Sequence, residues 1–247
     1  MIPTRLYGEL AWLWPVLEDS TGFARTFTDK MTDLLGPEED LARKSILHLG
    51  CGGGRYDQNL APRFARLVGV DQSAEMLDHA AKACPTGTYV QSDMRELDLD
   101  EKFDFVFIDD AMGYMLGEED VRRALDTAVR HLRPDGRLVL ALDEVGETCP
   151  RLHTPVSVAE AQDRPDGLEV VYFRSYYKPV PEDPRCLATF IFVIHQDGER
   201  RVEVDEHLTA VRHRADWRRL LEESGLLWEE KFGGEWGTQT FYRCRRS

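Results

Sequence analysis

The sequence has no apolar run near the ~18 residues that a membrane span needs, and no cysteine spacing that suits zinc or a disulfide framework. Its five cysteines, Cys51, Cys84, Cys149, Cys186 and Cys244, are odd in number and each lies more than thirty residues from the next. They read as reduced thiols of a reducing compartment, and no metal site is expected. Positive charge is scarce: 31 Lys and Arg against 45 Asp and Glu leave a net charge of -14. A phosphate backbone is held by clustered cations, so nucleic acid is excluded as the main partner. A small anionic ligand, which needs only a few local cations, is not. Internal repeats and low-complexity tracts are absent. The stretch Leu10–Leu17 is short, interrupted by Pro15 and preceded by Glu9, which makes a poor secretory leader. A cytoplasmic protein with no membrane partner is expected. What is present is 42% hydrophobic and 10% aromatic residues in a chain of 247. That is enough to bury a core without a covalent staple and too much for wholesale disorder.

From Ser45 to Asp143 the chain alternates between two periods. Short apolar runs read as buried strands over Ser45–Leu49, Arg66–Val70, Thr88–Gln91, Phe103–Ile108 and Arg137–Leu142. Between them lie helical stretches, clearest at Glu119–Leu132, where Val121, Ala124, Leu125, Ala128, Val129 and Leu132 form one stripe. Leu132–Arg133–Pro134–Asp135–Gly136 should stop that helix and turn the chain. Such alternation predicts an α/β fold with a doubly wound, mainly parallel, seven-stranded sheet. A helical N-terminal lid over residues 1–40 is expected to place Tyr7, Leu10, Ala11 and Trp14 on one face, and to continue over Phe23–Leu35 before a polar break at Gly36–Asp40. After the core, Leu168–Lys178, Leu187–His195 and Arg201–Val211 read as three antiparallel strands, with a hairpin turn at Gln196–Glu199. A helix over Ala215–Ser224 and strands over Leu227–Phe232 and Thr238–Arg245 close a single domain of residues 1–247. Within it lie a ligand-binding core over 45–143, the antiparallel insertion over 168–211 and the closing elements over 214–247.

The strand Ile46–Leu49 runs into Gly50–Cys51–Gly52–Gly53–Gly54 and then a helix from about Tyr56. Such a loop lets backbone pass close beneath a ligand and turns sharply into a helix whose N-terminus favours negative groups. The next strand ends in Asp71, followed by Gln72 and a helix cap at Ser73. An acid at that tip can take both ribose hydroxyls of an adenosine ligand, or serve the following helix N-terminus. The third strand ends in Ser92–Asp93–Met94. Asp93 can accept from an adenine amino group while Met94 and Met76 pack on the ring, unless the methionines are core filler.

Taken in order and spacing, the glycine loop, Asp71, Asp93–Met94 and Leu132–Gly136 resemble the Rossmann-like (class I) S-adenosylmethionine (SAM)-dependent methyltransferases. The resemblance is to the small-molecule members, such as nucleotide-linked amino-sugar N,N-dimethyltransferases, and covers nearly the whole chain. It implies SAM as cofactor, S-adenosylhomocysteine (SAH) as product, and contacts from Gly50, Cys51, Gly52, Asp71, Gln72, Met76, Asp93 and Met94. It also implies that Tyr7 reaches over the methionine carboxylate, with Arg55 facing that carboxylate from the loop; a core aromatic and a surface arginine are the other readings. Where the family carries an acid two residues before the first glycine, this chain has His48. A neutral imidazole can accept from the methionine ammonium; a satisfied strand histidine is the other reading.

Methyl transfer from a sulfonium needs alignment, and a nitrogen acceptor must first lose a proton. Residues past the fourth strand face the methyl group in this fold, here Asp109–Asp110–Ala111–Met112–Gly113–Tyr114. Asp109 is assigned to the cofactor and Asp110 to the acceptor. His153, beyond the fifth strand with Asp143 and Glu144, is the first candidate for catalytic base. Tyr172, Phe173, Arg174, Tyr176, Tyr177 and Lys178 could wall an acceptor pocket or form a sheet with one wet face, and His195, His207 and His213 read as structural. The expected function is methyl transfer to an amine nitrogen of a small molecule. The alternatives are transfer to oxygen and SAM binding without catalysis. A dehydrogenase is disfavoured, because the loop lacks the usual third-glycine spacing. Long strands in the insertion would leave an apolar edge, which a homodimer could cover.

Overall fold

The computed structural model describes residues 4–18, 23–35, 38–145, 152–153, 167–180, 182–233 and 239–247. The chain opens with two short 3₁₀ turns, Arg5–Tyr7 and Ala11–Leu13, before α1 (Trp14–Glu18), α2 (Phe23–Leu35) and α3 (Glu38–Leu41). The first of these departs from the expected amphipathic helix: the tighter turns bury Leu6, Leu10 and Leu13 as one stripe. α3 likewise occupies part of the expected polar break. Then come β1 (Ser45–Leu49), α4 (Asp57–Leu60), β2 (Arg66–Asp71), α5 (Ala74–Ala83), β3 (Thr88–Gln91) and β4 (Phe103–Asp109). They are followed by α6 (Glu118–His131), β5 (Leu132–Val145), β6 (Leu152–His153), β7 (Glu169–Tyr177), β8 (Arg185–Gln196) and β9 (Glu199–Ala210). β10 (Arg212–His213), α7 (Arg214–Glu223), β11 (Leu226–Gly233) and β12 (Gln239–Arg246) complete the order.

The main sheet runs β11-β12-β5-β4-β1-β2-β3, with the two-residue β10 added beside the end of β5. β5, β4, β1, β2 and β3 are parallel, β12 is antiparallel to both of its neighbours, and β11 therefore runs in the same direction as β5. β1 is buried along its whole length because both faces are covered. Leu47, Leu49, Val106 and Ile108 join a core with α6 and α7, whereas Ile46, Phe105 and Phe107 join one with α2 and α4. The segment Leu132–Gly136 does stop α6, but its extra residues leave as a bulge in β5, between the pairs Phe103–Leu132 and Phe105–Arg137.

The chain steps outward from β1 to β2 and β3, then returns to the other side of β1 with β4. The order therefore reverses between β1 and β4, and ligands of doubly wound sheets bind where the carboxyl ends diverge at such a point. β6 to β9 form a separate antiparallel sheet of four strands, one more than expected, because Leu152–His153 pairs with Tyr176 and Tyr177. The hairpin between β8 and β9 turns on Asp197 and Gly198, both at positive φ (52° and 79°), the geometry that matches strand twist. One face of this sheet buries Val170, Ala188, Phe190, Phe192 and Ile194 against Leu6, Leu10, Leu13 and Val16.

Candidate active site

The glycine loop lies at the point where the strand order reverses. Gly50, Gly52 and Gly54 have φ of 73°, 53° and 80°, which side-chain-bearing residues rarely adopt. A Cβ on Gly50 would lie 2.4 Å from the Ala111 Cβ, and one on Gly53 would fall 2.1 Å from the Trp14 ring. The loop is thus pressed between the residues after β4 and the N-terminal segment. Asp71 ends β2 and pins the loop, accepting from the Gly52 N–H at 3.0 Å and the Ser73 N–H at 2.9 Å. Burial pushes its carboxyl pKa up, against the pull of these two donors. Two oxygens offer about four lone-pair sites, so capacity for two ribose hydroxyls remains. Ser73 caps α5 by accepting from Met76 N at 3.1 Å and donates to the Tyr7 carbonyl at 2.5 Å. Gln72 beside it is exposed.

Several expected contacts take another form. Met76 is fully buried, and its Cε lies against Gly52, so it supports the loop. Met94 lies under Gly50 in the same way and is nearly buried. Asp93 is gripped by Arg95, which also reaches Asp120 at 2.7 Å. That hydrogen-bonded pairing with Arg95 holds its pKa below the ordinary carboxylate value. The Cys51 thiol is buried and its pKa pushed well up by desolvation. Arg55 lies over the Tyr56 ring at 5.7 Å.

His48 takes the second of its two expected forms, a strand histidine turned to the core. It is 1% exposed, packs on Phe107 at 4.6 Å between ring centroids, and its Nδ1 bonds Asp57 Oδ1 at 2.6 Å. It faces the core and the start of α4. The buried acid that the loop lacks at position 48 is supplied nine residues later. His48 Nε2 and Asp57 Oδ2 find no hydrogen-bond partner among the described residues. Asp109, expected on the cofactor side, engages the Tyr56 hydroxyl on the same face of the sheet.

Asp110 stands at the tip of β4 with φ of 51°, and its N–H reaches the Ala141 carbonyl at 3.1 Å. A non-glycine residue held in that region marks a position over-determined by its surroundings. Its charge raises the hydroxyl pKa of Tyr7, Tyr114 and Tyr172, in each case adding to burial, and Tyr172 is pushed up to about 12. Tyr7 donates to or accepts from Tyr114 at 2.8 Å. Tyr114 meets His207 Nδ1 at 2.6 Å, and His207 Nε2 meets Asp205 Oδ2 at 2.7 Å. The His153 backbone pairs with Tyr176 in β6, but its side chain lies outside the described residues, as do those of Asp143 and Glu144.

Sequence reasoning missed Trp14 as the loop's cover, Asp57, Asp205 and the role of His207. One signal was available: Asp205 and His207 are two apart on a strand, so they share a face.

The cradle fits the adenosine and methionine parts of SAM: closely approached glycines, an acid with spare acceptor capacity, and indole and tyrosine rings above the loop. A methyltransferase domain family model matches residues 46–136. The chain is 28% identical over 199 residues to dTDP-3-amino-3,4,6-trideoxy-alpha-D-glucopyranose N,N-dimethyltransferase of Streptomyces venezuelae, covering 80% of this chain and 81% of that one. It is 31% identical over 189 residues to a putative methyltransferase of Geobacillus sp. (strain WCH70), covering 74% of each. It spans about half of some others, such as 47% of trans-aconitate 2-methyltransferase of Azoarcus sp. (strain BH72), with 36% identity over 124 residues that make up 49% of this chain. The crystal structure of Streptomyces venezuelae DesVI superposes with a TM-score of 0.79 over 98% of each chain, at 23% identity. A SAM-bound amino pentose methyltransferase from Micromonospora echinaspora follows at 0.72, with 19% identity over 91% of this chain and 90% of that one. Sequence and fold agree with the chemistry of the loop: this chain belongs to the class I SAM-dependent methyltransferases.

Proposed function

We propose that this methyltransferase acts on an amine nitrogen of a small molecule, with a nucleotide-linked amino sugar as the substrate class. The observation that carries the reading is the group of acceptors around Asp110. The Asp110 carboxylate directly follows β4, within electrostatic reach of Tyr7, Tyr114 and Tyr172, an arrangement suited to an ammonium or amine N–H. When bound, SAM supplies the electrophilic methyl group. Gly50, Gly52 and Asp71 hold it, Trp14 and Tyr7 exclude water from above, and Asp110 orients the acceptor. The named activity of the Streptomyces venezuelae relative supports the same class.

The test is mass-spectrometric detection of SAH and methylated product with dTDP-3-amino-3,4,6-trideoxy-α-D-glucopyranose and with its 3-hydroxy counterpart. Methylation of the amine alone is expected. Methylation of the hydroxyl counterpart or of a carboxylate would favour oxygen, and SAM binding without product would favour a binding protein. On this reading the sheet β6 to β9 belongs to the same unit, walling the acceptor with one face. Its other face exposes Phe173, Ile191 and Val204 in register, and we assign it to a second copy of the chain.

A further inference from the structure

The line Tyr7–Tyr114–His207–Asp205 has a direction. Asp205 accepts from the Leu6 N–H at 2.7 Å and the Arg5 N–H at 3.1 Å as well as from His207. Burial pushes its carboxyl up, but these donors together hold it below its ordinary value. A carboxylate only accepts, so His207 Nε2 carries a proton. Burial lowers the His207 pKa against the pull of Asp205, and Phe190 packs on the ring at 4.4 Å between centroids. The imidazole is therefore neutral, and Nδ1 presents a lone pair. Tyr114 must donate to it, and Tyr7 must donate to Tyr114. Both hydroxyl protons point inward along the line, so what the Tyr7 oxygen has left to offer is an acceptor.

We propose that this line is a proton relay, in which Tyr7 takes an N–H proton from the bound acceptor as its own proton passes to Tyr114 and that of Tyr114 passes to His207 Nδ1. The proposal rests on the acceptor atom being nitrogen. The acceptor nitrogen keeps the electron pair of its broken N–H bond and becomes nucleophilic. One O–H bond breaks and one forms at each tyrosine, and the proton ends on an imidazolium facing the Asp205 carboxylate. Tyr7 and Tyr114 have hydroxyl pKa values pushed up chiefly by burial, so the protons move together and no tyrosinate accumulates. The charged and titratable groups around the line are Asp110 at the tip of β4, Asp71 at the end of β2, Tyr172, Arg174 and Tyr176 on β7, and Arg5, whose backbone N–H meets Asp205 while its guanidinium pairs with Glu203 and Glu9. In this scheme Tyr7 is a catalytic residue; Tyr114, His207 and Asp205 position it and receive its proton.

The test uses the SAH-bound protein labelled with ¹⁵N at histidine. His207 should show the neutral Nε2–H tautomer, and Tyr114→Phe should move its Nδ1 resonance without changing the affinity for SAH. With the dTDP-linked 3-amino sugar, Tyr114→Phe should lose ~10²-fold in kcat near neutral pH, and the loss should shrink as pH rises past the pKa of the amine. His207→Gln should reproduce that profile. An Nδ1–H tautomer or an imidazolium in the resting protein overturns the proposal, and so does a loss that is the same at every pH. If the unmutated protein methylates no amine, the nitrogen reading fails on its own, and the tautomer measurement still judges the direction of the line.

Discussion

Asp57→Ala removes a carboxylate from a place where neither it nor its partner meets water: Asp57 is 0% and His48 1% exposed, with 2.6 Å between their bonded atoms. If the pair is ionised, the change strands a buried imidazolium and costs ~3–5 kcal/mol; if it is a neutral hydrogen bond, the stranded ring nitrogen costs ~1–3 kcal/mol. At ~2–4 °C per kcal/mol for a chain of this size, the ionised case lowers Tm by roughly 6–20 °C. A double-mutant cycle separates the two. His48→Leu combined with Asp57→Leu removes both polar groups together, and well-packed apolar replacements of buried pairs are often neutral or stabilising. The double variant should therefore lose far less than Asp57→Leu alone. Urea unfolding at constant m is the assay, with SAH affinity measured by calorimetry alongside. An Asp57→Ala cost below ~1 kcal/mol, under the lower bound for a stranded buried group, would refute the reasoning; so would a double variant that loses the sum of the singles. A large drop in SAH affinity in the double variant would return His48 to the ligand side of the loop.

Asp71→Ala should weaken SAH binding by ~1–3 kcal/mol for each ribose hydroxyl left unpaired; calorimetry on the folded variant checks this, and unchanged affinity refutes the assignment. Gly53→Ala should drive the Trp14 ring off the loop, since the new Cβ would lie 2.1 Å from it; near-ultraviolet circular dichroism should change, and Trp14→Ala should relieve the loss of stability. The folded-state pKa of His207 is lowered by burial, so the unfolded chain binds more protons as the solution is acidified. Stability should hold above about pH 6.5, the ordinary histidine value, and fall as pH drops below it towards the folded pKa. His207→Gln should flatten that slope in urea titrations. Replacing Val202 and Val204 by lysine should convert a dimer to monomer in sedimentation velocity if the exposed face of β9 is an interface.

The core was legible where local pattern and burial coincide. Ser45–Leu49 and Thr88–Gln91 match their expected bounds, and α5 begins directly after the expected cap at Ser73, its cap and apolar stripe lying within one short segment. The bulge in β5 was not legible, because Leu132–Gly136 carries turn residues and only its pairing with β4 draws it into the sheet. Neither was the register of β6, two residues long and fixed by β7. The glycine loop and the Asp71 that pins it were legible because their spacing along the chain is their spacing in space. His48 stayed open between two readings for the opposite reason: alternation places it on a face of β1, but the choice between ligand and core depends on Asp57 arriving from α4. The relay was invisible for the same cause at longer range, since 93 residues separate Tyr114 from His207.

Arg5, Leu6 and Tyr7 occupy one short turn in which the Arg5 and Leu6 amide hydrogens are held by Asp205 of β9, while Trp14 of the same segment covers Gly53. One stretch of chain therefore roofs the cofactor cradle and carries the group that receives the acceptor's proton. Displacing that segment would separate Tyr7 from Tyr114 and take from Asp205 the two backbone donors that help keep it ionised. In the proposed relay, the roof and the proton path therefore share one anchor, and neither is complete without the other.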